Sequence, residues 1–259
     1  MILQILASGS RGNVTYVEED GQAILVDVGL SCRETVRRLK MAGRDPQALK
    51  GIFITHDHRD HIAGARVMSR TFGLPIIISD TLYSTVKNTV LKDVPEILLY
   101  SLGNDIPLKS MNIHPVPVNH DATETVNVVI SNGKYTLGIF TDLGTVSLPV
   151  KTYAATTNLL VVEANHDLVM LKNGPYPLQV QQRIRSNYGH LSNDQCGKMV
   201  VDSCERGHVK EIILAHVSEN NNTYHLAYTA VSHYLTEANI DIPLYVATQN
   251  QIMPEFYVK

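Results

Sequence analysis

Thr55-His56-Asp57-His58-Arg59-Asp60-His61 gathers three histidines and Asp60 within six residues, directly after the apolar run Gly51-Ile52-Phe53-Ile54, which reads as a buried strand. In an extended loop side chains alternate with period two, so His56 and His58 project to one side. Where the chain turns into a following helix, Asp60 and His61 aim at a neighbouring point. One short loop thereby offers ligands to two metal ions. Imidazole nitrogen with carboxylate oxygen suits zinc, and equally manganese or iron, so donor type selects none of them. A lone histidine here would read as a solvated or internally satisfied side chain. The spacing His-x-His-x-Asp-His lifts the segment above that reading.

On either side, strands alternate with helices. Residues 2–7 and 14–18 read as strands joined by the turn Ser8-Gly9-Ser10-Arg11-Gly12-Asn13, and Asp20-Gly21 as a hairpin signal before a β-rich run over 22–28. Ser31 and Glu34 have capping-box spacing for a helix that Gly43 closes. Helices are expected over 62–71 and 80–92 around a strand at 75–79. Further strands fall at 111–118, 124–131 and 134–141, the last two joined by Asn132-Gly133, a type I′ hairpin signal. Residues 158–164 and 210–215 are strand-like. Ser192 with Gln195 caps a helix to about Glu205, and another begins near Thr223. There is no linker, repeat or low-complexity tract. The expectation is one α/β domain over 1–259, two sheets packed face to face inside helical layers.

The 259 residues are 44% hydrophobic and 18% charged, ample for a buried core. The net charge of −3 gives no global basic field for nucleic acid. Arg33, Arg37, Arg38, Lys40 and Arg44 make a local basic run, read first as a solvated helix face. Cys32, Cys196 and Cys204 form no Cys-x-x-Cys pair, so they read as buried free thiols of a reducing compartment. The first six residues lack the features of a signal peptide, and no apolar run reaches membrane-spanning length. A cytoplasmic protein without membrane or obligate protein partner is expected.

His56-x-His58-x-Asp60-His61 resembles the signature of the metallo-β-lactamase superfamily, and later segments follow that family's pattern in order from about residue 2 to 248. Val26-Asp27-Val28-Gly29 resembles its first motif, His120 in Asn119-His120-Asp121 its isolated histidine, Asp142 in Thr141-Asp142-Leu143-Gly144 its bridging carboxylate, and His216 in Ala215-His216-Val217 its final histidine. The resemblance implies a four-layer αββα sandwich, two mixed sheets flanked by helices. It also implies His56, His58 and His120 on one metal, Asp60, His61 and His216 on the other, and Asp142 between them. Asp27 stays outside that set; a carboxylate at a buried strand end reads as orienting a ligand or satisfying loop amides. His114 and His166 receive no function.

Two metals bridged by a carboxylate and a water would lower that water's pKa and give a hydroxide nucleophile near neutral pH. They would also stabilise charge on a phosphoryl or carbonyl oxygen, which explains hydrolysis without identifying the bond. Glu163 in Val162-Glu163-Ala164-Asn165-His166, and His190 in Tyr188-Gly189-His190-Leu191-Ser192, look like elements of the phosphodiesterase branch that includes RNase Z. That resemblance implies that His190 protonates the leaving alkoxide, Glu163 orients His190, and Asp60 with the metals activates water.

A narrower resemblance, to the bacterial YycJ/WalJ family of exonucleases or phosphodiesterases, rests on Ala7-Ser8-Gly9-Ser10-Arg11-Gly12-Asn13, Glu163-Ala164-Asn165-His166-Asp167, Gly189-His190-Leu191-Ser192-Asn193 and His216-Val217-Ser218-Glu219-Asn220-Asn221-Asn222. It makes DNA the favoured substrate. The Ser10–Arg11 turn reads either as a phosphate nest or as a tight turn between strands, and Asn220 either as a substrate contact or as part of a turn. Arg11, Arg33, Arg37, Arg38 and Arg59 are the candidates to line a DNA path. The chain has no room for a β-CASP insertion, no counterpart of the tRNA-gripping arm of RNase Z, and nothing like the helical domain of glutathione thioesterases. A hydrolase of a small cyclic or nucleotide phosphodiester and a non-catalytic metal-binding regulator are the alternatives. The intact ligand set weighs against the second.

Overall fold

Along Gln22–Val26, Ile24 and Val26 enter one apolar layer while Ala23 and Leu25 enter another; Leu159–Glu163 and Glu211–Ala215 are divided in the same way. A strand that is apolar on both faces needs cover on both. The computed structural model, which describes residues 1–259, meets that need with two seven-stranded sheets stacked face to face and helices outside each.

The first sheet runs Phe256–Tyr257, Ile2–Ala7, Val14–Glu19, Gln22–Val26, Leu49–Phe53, Ile76–Ser79, Ile97–Tyr100. The second runs Leu244–Val246, Glu211–Ala215, Leu159–Glu163, Thr136–Phe140, Thr125–Ser131, Met111–Val118, Ile106–Leu108. Both sheets are mixed. Leu3, Ile5, Phe53, Val128, Ile139 and Ile213 belong to the layer between them. Leu39, Met68 and Leu82, from helices Cys32–Met41, Ala65–Phe72 and Asp80–Val86, cover the first sheet. Val150, Val200 and Val231, from Leu148–Ala154, Asn193–Cys204 and Tyr224–Glu237, cover the second. The four-layer αββα sandwich expected from sequence is therefore observed.

Strand direction decides where the chemistry lies. Gln22–Val26 and Leu49–Phe53 are parallel, as are Thr136–Phe140, Leu159–Glu163 and Glu211–Ala215. Met111–Val118 is antiparallel to Thr125–Ser131, itself antiparallel to Thr136–Phe140, so it shares the direction of the latter. The loops that follow these strands hold Asp27, His56, His120, Asp142 and His216, the usual location of sites in such folds.

Ser192 and Gln195 form the full reciprocal box, as their spacing predicts. Ser31 forms half of one: its hydroxyl accepts from Glu34 N, but the Glu34 carboxylate turns to Arg37 and Arg38, which hold it down at about 2. The hairpin at Asn132-Gly133 is not type I′, because Gly133 has φ 84° while Asn132 is not left-handed. Instead Asn132 Oδ1 accepts from the amides of Lys134 and Tyr135. The helix expected over 80–92 stops at Val86. Cys196 and Cys204 are buried, burial pushing the Cys204 thiol up to about 11, whereas Cys32 is only half-buried; no pair is bonded. No helix is long and apolar enough to cross a membrane.

Candidate metal centre

Three residues at these strand ends, Asp27, Asp142 and His216, have φ of 60°, 58° and 52°. Left-handed backbone at a residue other than glycine costs on the order of 1 kcal/mol or more and persists where the surroundings enforce it. Here it turns each side chain from its strand toward one point. Gly29 follows the first of these bends, and a Cβ there would overlap the Asp60 carbonyl oxygen. Gly29→Ala is expected to lower unfolding stability by roughly 2–3 kcal/mol, an overpacking cost, and to displace Asp60. Denaturant titration checks the first effect; an unchanged midpoint would show that the Asp60 loop yields freely.

The structure brings His56, His58 and His120 together in one group and Asp60, His61 and His216 in another, with the ligand atoms of each group within 4.8 Å of one another. Asp142 stands between them: Oδ2 is 3.2 Å from His61 Nε2, and Oδ1 is 3.6 Å from both His120 Nε2 and His216 Nδ1. His56 and His58 do project to one side, and Asp60 and His61 lie on the short helix Arg59–Ile62.

Four imidazoles have one nitrogen held from behind and the other turned inward. His56 Nδ1 is 2.9 Å from Thr55 Oγ1, His61 Nδ1 2.7 Å from Asp27 Oδ2, and His120 Nδ1 3.0 Å from the Gly189 carbonyl. His58 Nε2 faces Asp121, 3.3 Å from its carbonyl and 3.5 Å from Oδ1, which leaves Nδ1 directed at His120. Such outer partners set the tautomer of a ligating histidine. His216 departs from the pattern, with Nδ1 near Asp142, Glu163 and Asn165 and Nε2 3.5 Å from Asp60 Oδ2. Asp27 also accepts from Thr55 N and Oγ1, so it both orients a histidine and satisfies a loop amide.

The donor set fits divalent metal. His56 Nε2 and Asp142 Oδ2 are buried without a hydrogen-bond partner, an arrangement that burial penalises unless a cation is shared there. Burial, reinforced by neighbouring imidazoles, holds His56 well below the usual histidine range, so its lone pair is available. Burial opposes protonation of His61 and His216 too, but Asp142 with Asp27 raises His61 and Asp142 with Asp60 and Glu163 raises His216 to about 10. Yet the Asn13 amide, fixed because its Oδ1 accepts from Gly9 N, points Nδ2 at His61 Nε2 from 2.9 Å. A proton on that nitrogen would oppose the amide, so the contact calls for the Nε2 lone pair as acceptor.

Glu163 is fully buried at the end of its strand. Oε2 accepts from Asp142 N and lies 3.1 Å from His190 Nδ1; Oε1 accepts from the amides of Leu143 and Leu191. Burial alone would raise this carboxyl, but His190 and His216 hold it down at about 2. His190 is partly exposed, its ring 5.0 Å from His120 and 5.3 Å from His216.

Sequence reading passed over Asn13, Thr55, Asp121 and Asn165 as contributors. Each was in a quoted segment, but contacts across 28 positions for Thr55 with Asp27, and 48 to 63 for the other three, leave no local pattern. Asn165 Nδ2 donates to the His216 carbonyl, and Asp121 is paired with Arg183. His166 is buried, with its pKa lowered to about 4 by burial.

The nest reading of the Ser10–Arg11 turn is corrected. The amides of Gly9, Arg11, Gly12 and Asn13 donate to Asn13 Oδ1, Gln249 Oε1, the Gly9 carbonyl and the Asp60 carbonyl. The turn braces the Asp60 loop. Asn220 Nδ2 donates to Tyr176 Oη, while Asn222 ties Asn193 to the carbonyls of Ala164 and Asn165. Arg38 is buried on the carbonyls of Leu6 and Gln249, and Arg37 pairs with Glu34, so neither lines a path for DNA. Arg11 and Arg59 do face the cleft beside Asp60; Arg33 does not line it.

A family model described as the metallo-beta-lactamase superfamily matches residues 7–147. The chain is 33% identical over 240 residues to Exodeoxyribonuclease YycJ of Bacillus anthracis, covering 92% of this chain and 90% of that one. It is 30% identical over 241 residues to Exodeoxyribonuclease WalJ of Streptococcus pneumoniae, covering 92% and 89%. In fold it is similar to the metallo-beta-lactamase fold protein YhfI from Bacillus subtilis, with TM-score 0.75, 13% identity, and 97% and 98% of the two chains covered.

Proposed function

The chain belongs to the metallo-β-lactamase superfamily and within it to the YycJ/WalJ family, and from that premise we propose that this metal-dependent hydrolase is a DNA exonuclease working with two divalent ions. The observation that carries the hydrolytic reading is the convergence of five histidines, Asp60 and Asp142 with Glu163 and His190 alongside. The choice of DNA is supported by likeness, over about nine-tenths of each chain, to two proteins named exodeoxyribonucleases.

In this reading His56, His58 and His120 hold one ion, Asp60, His61 and His216 the other, and Asp142 both. Zinc and manganese suit the donors, and iron is compatible. When bound, the ions supply Lewis acidity toward the phosphoryl oxygens and lower the pKa of a water nucleophile. Asp27, Thr55 and the Gly189 carbonyl keep the histidine rings in place. Burial disfavours ionised Asp60, but His216 and His61 outweigh it and hold the carboxyl below its ordinary value, so Asp60 orients water as an anion. Glu163 holds His190 by Nδ1, leaving Nε2 to give its proton to the leaving alkoxide.

Degradation of end-labelled double- and single-stranded DNA by zinc- or manganese-loaded protein, beside Asp60→Ala, tests the reading. Cleavage lost in the variant supports a nuclease. Turnover of a small phosphodiester without DNA cleavage would sink the DNA assignment, and metal-loaded protein that hydrolyses neither would favour a regulator. His190→Ala is expected to slow DNA hydrolysis about 10²–10⁴-fold, the usual span for general acid catalysis. A p-nitrophenyl phosphodiester, whose leaving group needs no proton, should be slowed far less. Equal losses on both substrates would remove the acid role.

A further inference from the structure

A cleft of about 490 Å³ opens beside the Asp60–His61–His216 group, with Asp60 itself in its wall. That is within the range of small-molecule sites, roughly 300–1,000 Å³. Ser10, Arg11, Gly29, Ser31 and Arg59 complete most of the lining, and Ala63 is the one apolar member. Two guanidinium groups in so polar a cleft stand out on a chain of net charge −3. Arg59 makes no side-chain hydrogen bond or ion pair although it sits between ligand positions 58 and 60. Arg11 is paired with Glu219 at 2.5 Å and Asn250 at 3.3 Å, and both members of the ion pair are substantially exposed.

We infer that this cleft is an anion subsite in which Arg11 and Arg59 hold a phosphate of the substrate next to the one being cleaved, with Glu219 as the resident counter-charge on Arg11. The inference rests on the phosphodiesterase reading and specifies how substrate is held. Arginine presents a planar fork that matches a phosphate with two parallel N–H donors. The free fork of Arg59 is available at once. The exposed Arg11–Glu219 pair is weakly held, so an incoming phosphate displaces it at little cost. Glu219 lies three residues after His216, so the segment carrying a ligand also carries the group that screens the cleft. The turn at Ser10 and Arg11 thus bears on phosphate through a side chain, its amides being engaged elsewhere.

Binding of inorganic phosphate, by calorimetry, and of a cleavage-resistant phosphorothioate DNA duplex, by fluorescence anisotropy over a salt series, tests this on metal-loaded protein. Arg59→Gln and Arg11→Gln should each weaken duplex binding about tenfold, and each should reduce the slope of log affinity against log salt by about 1. Glu219→Gln should tighten binding about threefold by freeing Arg11. These side chains are exposed, so melting temperatures should match the parent. Phosphate binding that needs both arginines in a chain that binds no duplex would keep the subsite and reject DNA. Wild-type affinity and slope in Arg59→Gln, for both probes, would overturn the subsite. Unchanged affinity in Glu219→Gln would overturn the counter-charge role.

Discussion

Asp142→Asn should leave a folded chain that holds less metal and hydrolyses phosphodiesters at least about 10³-fold more slowly, a loss of several kcal/mol of transition-state stabilisation. Asparagine is the informative replacement. Residue 142 has φ 58°, a conformation asparagine tolerates better than alanine, so the backbone bend survives. What disappears is the charge that lies within 3.2–3.6 Å of His61, His120 and His216. The Asp142 carboxylate approaches both histidine groups, so its removal would strike both proposed metal positions. Elemental analysis should show fewer equivalents of zinc or manganese per chain than in the parent. Full metal content with a parental rate would exclude Asp142 from the shared position.

The legibility of this molecule varied with sequence distance. The loop from His56 to His61 was readable because strand, loop and helix place its side chains by local rules. The capping box at Ser192 and Gln195 was readable for the same reason. His120, Asp142 and His216 became candidates only through family resemblance, since their convergence depends on strand direction across two sheets. Asn13 illustrates what stayed hidden: its amide meets His61 across 48 positions, and a turn of Gly and Ser gives no hint of that. Arg38 failed in the opposite sense. In a basic run it resembled a solvated charge, but its guanidinium is consumed by two buried carbonyls. Composition cannot separate those fates.

Glu163→Gln should slow DNA hydrolysis by about 10²–10³-fold and destabilise the fold by roughly 2–3 kcal/mol, and the two effects have separate physical origins. The carboxylate faces four donors: the amides of Asp142, Leu143 and Leu191, and His190 Nδ1. Glutamine keeps one acceptor oxygen. If that oxygen serves Leu143 and Leu191, its NH2 group opposes Asp142 N and forces His190 Nδ1 to accept instead of donate. The ring can then no longer carry a stabilised proton on both nitrogens, which it must do before giving one to the leaving group. A merely structural role would slow DNA and a p-nitrophenyl diester alike, whereas this one slows DNA far more. The stability effect carries its own pH signature. The Glu163 pKa falls from its ordinary 4.5 to about 2 in the folded chain, so its contribution is complete above about pH 4.5 and is lost as pH drops toward 2. With chelator present, to keep metal release out of the measurement, the parent should lose melting temperature more steeply than Glu163→Gln over that interval. Parallel curves would mean that Glu163 is not held as an anion by His190 and His216.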